Sequence, residues 1–275
     1  MYLTQRGDFP SREKAQAAIM AGQVWVDGAP ATKAGALLRE GAMVEVKARS
    51  PYVGRGGHKL ERALDVFGVD PAGRVALDAG AATGGFTHCL LLRGARRVYA
   101  VDVGYGQLDF GLRQDPRVRV LERRDLRSVR REELEEPPTL ITLDLAFISL
   151  ARVLPTVGAL LADGGEVVAL VKPQFEAGRE QVGRRGVVRD PAVHRQVLER
   201  VAAAAGQAGF RVRAVTHSPL KGPEGNIEFF MHLEPGEGPP PPPEAVRRTV
   251  ETAWAELSPR AEPADAAPPR STYCP

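Results

Sequence analysis

The sequence predicts an α/β protein. Short apolar runs alternate with helical stretches, a polar residue closes each run on the same side, and a glycine-rich turn follows the first. Val75–Leu77, Arg97–Val101, Val118–Leu121, Leu140–Leu143 and Val167–Val171 read as buried parallel strands, because both faces are apolar. Thr87–Leu92 and Ala151–Leu161 read as crossover helices. A sheet with helices on both faces follows. After a helix over Ala192–Ala208 come two runs, Arg211–Thr216 and Ile227–Leu233. Their connection is too short for a parallel crossover, so they are expected to pair antiparallel.

Four parts are expected: 1–48, a small α+β domain; 49–62, a basic glycine-rich linker; 63–235, the α/β core; and 236–275, a proline-rich disordered tail. In the first, Ser11 caps a helix that ends at Ala21–Gly22. Val24–Val26 runs into an Asp27–Gly28 turn, and residues 43–47 alternate as a second strand. The linker, RSPYVGRGGHKLER, enters a helix at about Lys59. The tail holds ten of the 23 prolines, five of them consecutive, and reads as a loosely ordered spacer.

Composition narrows the function. The net charge is +3, and residues 1–62 carry ten basic against six acidic side chains, which suits an anionic partner such as nucleic acid. The same excess also fits an ordinary solvated surface. No apolar run approaches the roughly 20 residues of a membrane helix, and the first residues lack the apolar core of a signal peptide. Two cysteines, Cys89 and Cys274, make neither a zinc site nor a disulfide scaffold, so a cytoplasmic setting is expected. The chain has 31 arginines and only six lysines. A lysine retained in such a background suggests a need for an amine that can lose its proton.

Chemistry gathers at the strand ends. Asp78, Asp102, Asp144 and Lys172 each follow an apolar run, and ligands of open α/β sheets bind outside those carboxyl ends. The turn DAGAATGGFT offers Asp78, Gly80, Gly84, Gly85 and Phe86 to a ligand, but it is not the G-x-G-x-x-G of nicotinamide sites. Asp102, 24 residues after Asp78, stands where an acid accepts both ribose hydroxyls of an adenosine. Together these point to S-adenosylmethionine. Asp125 can reach the adenine amine or cap a helix.

The ordered set RGGHKLE, LDAGAATGGFT, VDVGYGQL, LDLAFISL, ALVKPQFEAGRE and GNIEFF resembles the TlyA family, once called hemolysin A, of rRNA 2′-O-methyltransferases. The segment SREKAQAAIMAGQVWVDG is similar to the RNA-binding domain named after ribosomal protein S-four. The chain begins downstream of the Arg-Leu-Asp stretch usual there, so either the start is misplaced or the first domain is trimmed, and less than full RNA affinity is expected. The resemblance implies a Rossmann-like class I methyltransferase, a seven-stranded mostly parallel sheet with an antiparallel last strand. It implies a catalytic set of Lys59, Asp144, Lys172 and Glu228, methyl transfer to a cytidine ribose of ribosomal RNA, no metal, and RNA contacts by Arg12, Lys14 and Arg55. Arg12 and Lys14 lie about 200° apart around their helix and need not share a face. The chemistry is coherent: a ribose hydroxyl needs a base, and a lysine serves only when neutral. Desolvation favours that form, and a neighbouring carboxylate opposes it. A purely RNA-binding protein would need no such set. A pore-forming hemolysin would need an amphipathic or apolar membrane segment, and a pseudouridine synthase would have no use for the glycine turn. The target nucleotide, the ribosomal subunit and the oligomeric state are not readable from the sequence.

Overall fold

The computed structural model describes residues 2–20, 23–27, 29–31, 33, 35–39, 41–46 and 51–258. Ala21, Gly22, Gly28, Cys274 and the stretches 47–50 and 259–275, to which expectations were attached above, lie outside the described residues. The chain forms two compact units, residues 1–51 and 52–275.

The first unit contains α1 (Tyr2–Gln5), α2 (Arg12–Met20), β1 (Val24–Val26), β2 (Ala29–Pro30) and β3 (Val44–Val46). Ser11 Oγ accepts from the Lys14 amide at 3.3 Å, which satisfies one free donor at the start of α2. β1 is the central strand, antiparallel to both β2 and β3. Leu3, Ala15, Ala18, Val24 and Val44 make a small core.

The second unit opens with α3 (Gly56–Phe67), which includes the last seven residues of the expected linker. It continues through β4 (Val75–Ala79), α4 (Gly85–Leu92), β5 (Arg97–Asp102), α5 (Phe110–Gln114), β6 (Val118–Glu122), β7 (Leu140–Leu143), α6 (Leu154–Leu160), β8 (Glu166–Val171), α7 (Pro173–Glu176), α8 (Pro191–Gln207), β9 (Phe210–His217) and β10 (Phe229–Pro235). The sheet order is β6-β5-β4-β7-β8-β10-β9. β4 to β8 pair parallel. β10 runs antiparallel to β8 and β9, so the antiparallel strand is last in sequence but second from the edge in space. Every residue of β4 and β7 is buried, as the two-faced apolar pattern requires. α8 is capped by Asp190, begins with Pro191, and buries Val193, Val197, Val201 and Ala205 at helical spacing.

The tail requires a correction. Residues 243–257 form α9 (Pro243–Leu257), not a disordered spacer. Its Val246, Val250 and Ala253 are fully buried against the core. Trp254 Nε1 donates to His194 Nδ1 at 3.0 Å. Burial pushes the His194 imidazole down to about 4, so it accepts that bond as a neutral ring. Proline composition concealed an amphipathic stripe that the last proline of the run merely starts.

Candidate active site

The rim begins with the turn after β4. Gly80 has φ +86°, and a Cβ there would fall 2.3 Å from the Asp144 carbonyl oxygen. Only glycine lets this turn close against the end of β7. Asp102 closes β5 and accepts from the Ala82 amide (2.8 Å) and the Gly104 amide (2.6 Å). A cavity of about 570 Å³ opens here, lined by Gly80, Asp102, Gln107, Asp125, Asp144 and Lys172 among others.

Two lysine–carboxylate pairs stand on this rim. Lys59, on α3, is 6 % exposed and donates to Glu228 Oε2 at 2.6 Å. Glu228, just before β10, is fully buried. Burial holds its carboxyl above the usual range, and Lys59 opposes that. Lys172, just after β8, has Nζ 2.7 Å from Asp144 Oδ1, an ion pair without hydrogen-bond alignment. Among the described residues four buried side-chain polar atoms lack a hydrogen bond. Two belong to this rim: Glu228 Oε1, and Asp144 Oδ1, which has only the Lys172 ammonium beside it. Buried acceptors of this kind cost about 1–3 kcal/mol each when left unmatched. They are tolerated where a ligand completes them.

The remaining expected site residues separate into groups. Asp78 is fully buried beneath the turn, where it accepts from Thr87 Oγ1 (2.7 Å) and Thr142 Oγ1 (3.2 Å). Burial pushes it up to about 7. It braces the turn from below and does not line the cavity. Gly84, Gly85 and Phe86 are likewise outside the lining: Gly84 packs on Leu112, Gly85 on the backbone of Gly56 and Gly57, and Phe86 on Phe230. Asp125 lines the cavity, yet both its oxygens engage Arg127, whose guanidinium holds the carboxyl down to about 2. It is also the cap of a short 3₁₀ turn, Leu126–Ser128. Arg55 donates to the Lys221 carbonyl at 2.9 Å. In the first unit Arg12 and Lys14 are both exposed; Arg12 lines a groove that Lys14 does not reach.

Two residues escaped the sequence reading. Phe147 lines the cavity with φ +62° and 90 % exposure, its ring 5.0 Å from that of Phe175. A large aromatic held in a left-handed backbone in water is a strained arrangement. Glu176 accepts from Ser149 Oγ and the Leu150 amide, both at 2.7 Å, and so ties the loop after Asp144 to the helix after Lys172. Neither position had a sequence signal beyond lying in the motifs LDLAFISL and VKPQFE.

Comparison with known proteins agrees with this geometry. Residues 52–234 match the FtsJ-like methyltransferase model and residues 1–44 the S4 domain model. The chain is 46% identical to the 16S/23S rRNA (cytidine-2′-O)-methyltransferase TlyA of Mycobacterium tuberculosis over 84% of this chain and 87% of that one. It is 45% identical to YqxC of Bacillus subtilis, which bears a provisional rRNA methyltransferase name, over 93% of each. A solved Streptococcus thermophilus structure with a provisional hemolysin name superposes with a TM-score of 0.76 at 44% identity, covering 92% of this chain and 94% of that one. With its strand-end cavity and two lysine–carboxylate pairs following a region that matches the S4 model, and at these identities and coverages, the chain belongs to the FtsJ-like methyltransferase family and, within it, to the TlyA group.

Proposed function

We propose that this chain transfers a methyl group from S-adenosylmethionine to the 2′-hydroxyl of a cytidine ribose in ribosomal RNA. The observation that carries this is the meeting of Lys59–Glu228 and Lys172–Asp144 on one rim, beside a cavity opened by Gly80 and Asp102. The cavity suits the cofactor: Gly80 lets the turn that lines it close against the end of β7, and Asp102 on its lining is the acid we assign to the ribose hydroxyls. Bound there, S-adenosylmethionine supplies an electrophilic methyl.

The protein supplies aim and a proton acceptor. Lys172, in its amine form, takes the proton of the ribose hydroxyl. The ammonium so formed lies 2.7 Å from Asp144, which stabilises the new charge. Lys59 and Glu228 form the second, drier pair, to which we assign orientation of the hydroxyl. General-base catalysis contributes about 10²–10⁴-fold, and positioning supplies the rest. Phe147 offers a face on which the target base stacks, which gives its strained exposure a purpose. The S4 domain contributes phosphate contacts, through Arg12 and Lys14. No helix among the described residues is long and apolar enough to cross a membrane, and an rRNA substrate implies work in the cytoplasm.

The test is product analysis. Ribosomal RNA incubated with the protein and tritiated S-adenosylmethionine is digested to nucleosides. The expected product is 2′-O-methylcytidine; label on a base, or none on RNA, contradicts the reading.

A further inference from the structure

Between α7 and α8 the chain passes through residues 178–190, which carry Arg179 and Glu180 at their start and Arg184, Arg185 and Arg189 further on. Arginines elsewhere in the second unit are commonly neutralised: Arg74, Arg93, Arg96, Arg113, Arg117 and Arg211 each sit against a carboxylate. Arg184, Arg185 and Arg189 are exposed and have no carboxylate partner among the described residues. The acid at the loop's end, Asp190, is spent on the Ala192 amide as the cap of α8. Arg189 also lines a cavity with Lys221, opposite a single acid, Glu224.

The loop is built rather than slack. Its tip turns through Arg185 (φ +70°, ψ +16°) and Gly186 (φ +73°), so an arginine occupies a backbone region that favours glycine. The turn is closed by the Gly183 amide on the Val187 carbonyl and by the Gly186 amide on the Gly183 carbonyl, both at 3.1 Å. Val187 and Val188 are buried beneath it. Asn226, fully buried, spends both ends of its amide here: Nδ2 donates to the Gly186 carbonyl at 2.8 Å, and Oδ1 accepts from the Val188 amide at 2.9 Å. Asn226 stands two residues before Glu228. The sequence thus retains a strained, unpaired arginine on a loop fixed to the segment that carries an active-site residue.

We propose that Arg184, Arg185 and Arg189 form a second RNA-backbone contact surface, separate from the S4 domain and held in register with Glu228 through Asn226. This rests on the rRNA reading above. Three unpaired guanidiniums on a pre-ordered loop match phosphates, which arginine binds through two donors at once. Order already present in the free protein need not be bought on binding. Phosphate contacts carry no base information, so the surface acts on affinity and salt dependence and leaves the chemistry to the rim.

The test uses Arg184→Ala combined with Arg185→Gly, in the full chain, with naked ribosomal RNA as the probe. Glycine suits the left-handed position, so the thermal midpoint should stay level or rise. Cofactor affinity and kcat should stay within about twofold. KM for rRNA should rise roughly fivefold to thirtyfold, and the slope of log affinity against log salt should fall in magnitude by about 1–2. Arg185→Lys alone, which keeps the charge, should behave almost as wild type. An active wild type alongside a double variant with unchanged KM and unchanged slope overturns the surface alone. A wild type that binds cofactor but methylates no rRNA overturns the activity reading, and this one with it.

Discussion

β8 and β10 carry a charged network at each end, and the two are wired in different ways. At the end opposite the cavity, Glu166 accepts from Arg74 and from His232, the latter at 2.5 Å. Phe67 stacks on the His232 ring at 5.4 Å. Glu234 is held by Arg211 at 2.6 Å. Glu166, His232 and Glu234 bring metal-ligand atoms within 4.8 Å of one another, but arginines already occupy both carboxylates. At the cavity end, by contrast, Glu228 Oε1 has no hydrogen bond, and Asp144 Oδ1 has only the ion pair with Lys172 at 2.7 Å. The saturated network ties strands together. The cavity-end one leaves the buried Glu228 Oε1 as an acceptor in reserve, which a purely structural role would not explain.

Breaking each network separates the two roles. The largest effect is expected for Lys59→Met, which strips the buried Glu228 of its partner. Urea denaturation should show a loss of about 3 kcal/mol, and methyl transfer should vanish. Adding Glu228→Gln should restore much of the stability and none of the activity. If activity returns with stability, the pair is merely structural.

Next in size is Glu166→Gln at the other end. Arg74 and His232 hold the Glu166 carboxyl down to about 2, with the His232 bond the larger cause. A depressed carboxylate stabilises the fold at pH above its ordinary value of 4.5, and that contribution disappears as pH falls toward 2. The variant should therefore lose about 2 kcal/mol at pH 7, with the difference from wild type closing in acid. Activity per folded molecule should stay within about twofold. A large activity loss would erase the contrast between the two ends.

Smaller still is Asp102→Ala, which should weaken cofactor binding roughly 10- to 100-fold by calorimetry, as expected from losing charge-assisted bonds. An unchanged affinity would remove Asp102 from the cofactor site. The smallest effect belongs to Asp125→Asn. Asparagine caps as well as aspartate, and the exposed pair with Arg127 is worth under about 1 kcal/mol. Cofactor affinity should change by less than about threefold; a greater loss would favour direct adenine contact over capping.

The strands were readable because β4, β7 and β8 are buried on both faces, which forces continuous apolar runs. The polar residues Asp102, Asp144 and Lys172 were readable because they interrupt those runs at one end. Asp78 looked identical in sequence, yet its oxygens turn inward to Thr87 and Thr142; a strand-end acid does not announce which way it points. α9 was hidden by the prolines preceding it, although Val246, Val250 and Ala253 carry helical spacing. Phe147 and Asn226 could not be found by periodicity. Their importance lies in a strained backbone and in two buried amide bonds, which exist only once distant loops have met. Glu228 was matched by motif, but its burial against Lys59, 169 residues away in sequence, is a product of the fold alone.

The most direct test of the central claim is Lys172→Arg, read by tritiated methyl incorporation into ribosomal subunits at saturating cofactor, with Lys221→Arg as the control. Arginine keeps the charge and the reach but does not give up its proton in a protein. If Lys172 accepts the hydroxyl proton, incorporation should be lost while fold, cofactor affinity and most RNA affinity persist, and Lys221→Arg should remain near wild type. Substantial incorporation by Lys172→Arg would contradict the account, make Lys172 an electrostatic clamp, and leave Asp144 as the proton acceptor.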